Sequence, residues 1–96
     1  MRLRYSRRAT NDLTSIHEYL SARSPRASVS VLTSIYAAVE FIRRHPEASE
    51  LTSIHSIRGK IVRKYRFKIF YRVIAEDDVI EIVHVRHTSR RPLEEE

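Results

Sequence analysis

Eight arginines and lysines in the second half of the chain carry most of its chemical potential: Arg63, Lys64, Arg66, Lys68, Arg72, Arg86, Arg90 and Arg91. His84 and His87 stand among them. Two tasks fit such a set. Guanidinium and ammonium groups can stabilise phosphate charge while an imidazole moves a proton, as cleavage of an RNA backbone requires. The same surface can instead dock an acidic protein. A third reading needs no partner, because charge along a strand also discourages edge-to-edge pairing.

Other chemistries find little material. Serines and threonines are plentiful, but none lies in a G-x-S-x-G context and there is no cysteine. His17, His45 and His55 are scattered, and His84 and His87 have no carboxylate cluster beside them, so no metal site is expected. Gly59 is the only glycine, which leaves no glycine loop to cradle phosphate and no reason to expect a cofactor.

The elements that must position the basic residues can be read from pattern. Between Glu50 and Glu76 there is no acidic residue. Tyr65–Ala75 and Val79–His87 are rich in Val, Ile, Tyr and Phe, as strands are, and Glu76-Asp77-Asp78 reads as the hairpin loop between them. Ile57–Lys64 is a weaker strand before them. In the middle run the odd positions Tyr65, Phe67, Ile69, Tyr71 and Val73 are apolar. The even positions carry Arg66, Lys68 and Arg72, interleaved with Phe70 and Ile74. Alternation predicts a sheet with one dry face and one largely basic face.

The first half is built to cover the dry face. Arg2–Tyr5 is a short edge-strand candidate. Ser6 can cap a helix whose stripe is Ala9, Leu13, Ile16 and Leu20, bordered by Tyr19. Asp12 lies off that stripe, where pairing with Arg8 one turn earlier is expected. Ser24-Pro25 stops one helix and starts another, since proline suits the first helical position but disfavours helix at the residue before it. The second helix should run from Pro25 to about Arg44 on a stripe of Ser28, Val31, Leu32, Ile35, Val39 and Ile42, with Tyr36 and Phe41 at its margins. Pro46–Ser56 reads as a loop. The expected order is β-α-α-β-β-β, an α+β fold with a helical hairpin packed on a small antiparallel sheet. The first strand should pair with the far part of that sheet.

Composition sets outer bounds. Ninety-six residues make one domain, expected over 1–91, with 92–96 as an acidic C-terminal tail. The net charge of +6 favours an anionic partner. No apolar run approaches the ~20 residues that span a bilayer, and the N-terminus does not read as a signal peptide. Absence of cysteine fits a cytosolic protein.

Several short motifs together resemble the RelE/ParE toxin family of type II toxin–antitoxin systems. They are Ala9-x-x-Asp12-Leu13-x-x-Ile16-x-x-Tyr19, Ser24-Pro25-x-Ala27, His45-Pro46, the run from Tyr65-Arg66 to Phe70-Tyr71-Arg72-Val73, and Val83-His84-Val85-Arg86-His87 before Arg90-Arg91. The match covers about the whole chain and implies the same α+β fold. It also implies a toxin neutralised by a ParD-like antitoxin held on the helix faces, at Leu13, Ile16, Tyr19, Leu20 and Tyr36. RelE-like members cut mRNA on the ribosome; ParE-like members inhibit DNA gyrase. No tyrosine follows Tyr71, so a terminal catalytic tyrosine is absent, and the first-helix and strand-exit motifs look more like ParE. On that branch Arg63, Lys64, Lys68, Arg72, Arg86, His87, Arg90 and Arg91 would contact the target, and DNA would be met only through gyrase or the antitoxin. On the RelE branch Arg63, Lys68, Arg86 and His87 would be catalytic. A homologue that only binds its antitoxin is the third possibility.

Overall fold

The computed structural model describes residues 1–89. Arg90, Arg91 and the acidic tail therefore lie outside the described residues. Strand β1 (Arg2–Tyr5) leads into helices α1 (Arg7–Arg23) and α2 (Pro25–Arg44), followed by β2 (Glu50–Leu51), β3 (Arg58–Val62), β4 (Phe67–Ile74) and β5 (Val79–His87). The five strands form one sheet in the order β1-β5-β4-β3-β2. Neighbours from β2 to β5 are antiparallel, while β1 runs parallel to β5, so the helical hairpin is the crossover between them. The expected fold class is the observed one, with that single parallel pairing added.

Capping follows the sequence. Ser6 Oγ accepts the Ala9 N–H at the start of α1, and Ser24 Oγ accepts the Ala27 N–H at the start of α2. Pro25 opens α2, and Arg43 and Arg44 occupy its last turn, where cations oppose the helix dipole. Arg43 and Arg44 also pair with Glu40. The Arg43 hydrogen bond holds the Glu40 carboxyl below its ordinary pKa.

The core lies between the hairpin and one sheet face. Ala9, Val31, Ile35, Val39 and Ile42 meet Val62, Phe67, Ile69, Tyr71, Ile80, Ile82 and Val85 there. Burial of each large side chain contributes about 1.5–3 kcal/mol. Leu13, Ile16, Leu20 and Leu32 pack against this cluster but stay half-buried. Tyr71, fully buried, donates its hydroxyl to the Pro46 carbonyl at 2.7 Å and ties down the end of α2.

Four sequence expectations need correction. The segment 46–56 is not all loop: Glu50–Leu51 pairs with β3, and Arg58 donates to the Ser49 carbonyl at 2.7 Å. The middle strand begins at Phe67, not Tyr65, because Arg63–Tyr65 forms a 3₁₀ turn that Arg66 ends in the left-handed region at φ 60°. That turn makes the β3–β4 hairpin. A similar turn at Ala75–Asp77, ended by Asp78 at φ 55°, makes the next. Phe70 is buried although it stands on the basic face, at 3% exposure, so that face is not a continuous solvated surface. Asp12 binds His84 and Val85 on β5 rather than Arg8.

Candidate functional site: a basic strand end beside an aromatic groove

A β-bulge organises the site. Phe70 pairs with His84, but Tyr71 pairs with Ile82, which leaves Val83 as the extra residue on β5. Without it, strict alternation would put His84 on the core face with Ile80 and Ile82. The bulge resets the alternation, so Val85 joins the core and His84 turns to the outer face.

Beyond the end of β1, the edge of β5 is finished by α1 and its cap. Ser6 N–H donates to the Ile82 carbonyl, and Ser6 Oγ donates to the Val83 carbonyl at 2.7 Å. A single Asp12 oxygen then accepts both the Val85 N–H at 2.9 Å and His84 Nδ1 at 2.6 Å. On the far side of the ring, the Arg8 guanidinium reaches Nε2 at 3.4 Å. A guanidinium can only donate, so this pattern belongs to the Nδ1–H tautomer of His84. The ring is 4% exposed and stacks on Phe70 with centroids 5.8 Å apart. Buried and engaged at both nitrogens, His84 is a support rather than an acid or base for a ligand.

The outer face of Phe70 carries two cations. Lys68 Nζ lies 5.2 Å from the ring centre and the Arg86 guanidinium carbon 5.5 Å. Lys68 and Arg86 are direct cross-strand partners. Like charges placed opposite one another repel, and the shared ring offsets part of that cost. The pair thus places two positive charges beside one aromatic ring. Lys68 also passes over Gly59, where a Cβ would meet its Cε at 2.6 Å.

Among the described residues the basic side chains do not form one patch. Arg72 is drawn into a ladder with Glu81 and Arg4, at 2.8 and 3.3 Å. Arg63 and Lys64 sit exposed in the 3₁₀ turn, with Lys64 Nζ 5.5 Å from the Tyr65 ring centre. His87 faces the helices instead: its ring packs edge-on to Phe67, and Nδ1 accepts the Ser89 N–H at 3.2 Å.

Two concavities flank α1. The larger, about 750 Å³, opens between α1 and the ends of β4 and β5. Ile16, Tyr19 and Leu20 line it together with Arg86 and His87. The smaller, about 390 Å³, lies between α1, α2 and Tyr5, and takes Leu13 and Tyr36. The five helix residues thus divide between two sites. At the smaller one the Tyr5 hydroxyl has a raised pKa, chiefly from burial and secondarily from Tyr36. Sequence reasoning missed Tyr65, and it passed over Phe70, whose position among basic residues was the available signal. Among the described residues no group of three or more His, Asp or Glu side chains could hold a metal, and no helix is long and apolar enough to cross a membrane.

A helical hairpin crossing over one face of a five-stranded sheet, with a bulged last strand ending in basic residues, defines a small two-layer α+β fold. The chain belongs to the ParE toxin family of type II toxin–antitoxin systems, parDE, whose family model matches residues 3–92. Its structure is similar to one described as the chromosomal ParDE system from P. aeruginosa, at TM-score 0.78 and 20% identity over 91% of this chain and 95% of that one. The intact E. coli RelBE toxin–antitoxin complex matches at TM-score 0.63 and 16% identity, over 93% and 98% of the two chains. A YoeB/ParE toxin from Agrobacterium tumefaciens matches at 0.62 and 15%, over 91% and 98%. A search of curated protein sequences gave no significant match.

Proposed function

We propose that this protein is the toxin of a type II module, that it acts in the cytoplasm by inhibiting DNA gyrase and so blocking replication, and that a cognate ParD-like antitoxin neutralises it. The observation that carries the reading is the ParE family match across residues 3–92. The similarity to toxins solved as toxin–antitoxin systems supports the antitoxin partner. On this reading Lys68, Arg86 and His87, with the turn residues Arg63 and Lys64, make the target contact. Arg72 contributes less because Glu81 already neutralises it.

The RelE-like reading, a ribosome-dependent mRNA endonuclease, keeps one specific observation in its favour: the Lys68–Arg86 pair on Phe70 would suit a phosphate. It lacks a well-placed proton carrier, because His84 is buried and His87 lies on the opposite face. Pulse labelling with thymidine and methionine after induction without antitoxin separates the two. DNA synthesis should stop first. Prior arrest of protein synthesis would replace gyrase with the ribosome as target, and growth with neither affected would leave a binding homologue.

A further inference from the structure

The helices cover one face of the sheet and leave the other open, and alternation puts polar residues on an open face. Phe70 departs from that rule: it stands on the open face between Lys68 and Arg72, yet is 3% exposed. Part of its cover comes from that same face. Lys68 Nζ and the Arg86 guanidinium carbon lie 5.2 and 5.5 Å from the ring centre. A long cationic side chain can lay its stem on apolar surface while its head stays in water. The ring is itself fixed. Its cross-strand neighbours are Gly59, which adds no side chain, and His84, which stacks on it and is held by Asp12. Several other cations are held differently. Glu81 pairs with Arg72 and Arg4, and Glu40 with Arg43 and Arg44, so carboxylates offset those charges. Arg23 lies over Tyr19 and Lys60 over Phe41, but these rings are 59% and 40% exposed. A ring immobilised by burial fixes a cation's place without neutralising it, and the attraction grows as the contact loses water.

We infer that Phe70 is a positioning residue for the target contact: its ring holds Lys68 and Arg86 side by side without offsetting their charge, and potency depends on the aromatic face of that ring rather than on apolar bulk at its place. This rests on the toxin reading above, in which Lys68 and Arg86 meet the target. Phe70 lies beneath the two cations and acts through them. His84 and Asp12 stand one step further back, as the groups that hold the ring.

The test induces the full-length chain without antitoxin and measures, by quantitative immunoblot, the protein level that halves the growth rate. Phe70→Leu stays apolar but has no aromatic face, and should raise that level at least about fivefold. Phenylalanine carrying one, two or three fluorines at position 70 nearly keeps the shape and weakens the ring's attraction for cations stepwise. The level should therefore climb with each fluorine, to at least about threefold at the third. This series decides the matter even if Phe70→Leu fails to fold. In the proton NMR spectrum of the wild-type chain, the Lys68 ε-methylene signals should be moved upfield by the ring current of Phe70. A flat response along the fluorine series, a folded Phe70→Leu protein as toxic as wild type, or unshifted Lys68 signals each overturn the inference while leaving the toxin reading intact. A wild-type chain that slows growth at no level overturns both.

Discussion

Asp12 shows how much one side chain can carry. Its Oδ2 serves a strand-edge N–H and a buried imidazole together, and that imidazole backs the ring on which Lys68 and Arg86 rest. Asp12→Ala removes the acceptor that the Val85 N–H and His84 Nδ1 share and should cost about 2–3 kcal/mol in urea unfolding. Asp12→Asn places an amide oxygen where Oδ2 was and should cost less. An Ala variant as stable as Asn would mean that water replaces the carboxylate. Tyr5 gives a pH signature. Its folded-state pKa is raised above 10.0, so the neutral hydroxyl is the form the fold favours. Stability from this source is fully present below pH 10 and is lost as pH rises through the folded-state value. The alkaline decline in stability should be shallower in Tyr5→Phe, as measured by denaturant unfolding at successive pH values.

The two helix caps look alike in sequence and differ in their elements. Ser24 only caps α2. Ser6 caps α1 and also donates to the Val83 carbonyl, fastening the helix to the bulge of β5. Ser24→Ala should cost about 1 kcal/mol, within the usual range for a lost cap, and Ser6→Ala about 2 kcal/mol. Equal losses in thermal unfolding would show that the strand contact contributes nothing. Gly59 on β3 is not in a left-handed conformation, so alanine fits its backbone. The atoms nearest the new Cβ are the far end of Lys68 and the Thr52 methyl. Gly59→Ala should therefore change stability by less than about 1 kcal/mol, yet move Lys68 off its position over Phe70. Reduced toxicity at unchanged stability is the expected result; unchanged toxicity would remove Lys68 from the target contact. The helices, the Ser6 cap, the break at Ser24-Pro25 and the buried stripe were legible in the sequence because capping and a 3.6-residue period are local properties. The start of β4 was not, because a left-handed Arg66 is imposed by the hairpin it closes rather than by residue type.

For the molecule as a whole, the proposed partner should act on folding as well as on toxicity. Antitoxin present at a hundred times its Kd should add about 2.7 kcal/mol to the folded state by mass action. The melting temperature of the wild-type chain should rise with antitoxin concentration, and an unchanged melting temperature would mean that the antitoxin does not bind the folded chain. The net charge of +6 supports attraction to an acidic partner at a distance, but the local arrangement decides where that partner sits.

The sequence by itself determined the α+β class, the helical hairpin, the strand-rich second half and the concentration of charge there. Each depends on periodicity or composition within a segment. Only the tertiary structure decided which charges work together. The bulge at Val83 shifts every residue after it by one position, so His84 turns outward to Phe70 while His87 turns inward to the groove. Glu81, from a neighbouring strand, removes Arg72 from the basic set. Asp12 finds its partner 72 residues away rather than one helical turn back. Alternation and spacing describe one strand or helix at a time, whereas register between strands is set by packing of the whole sheet against its helices.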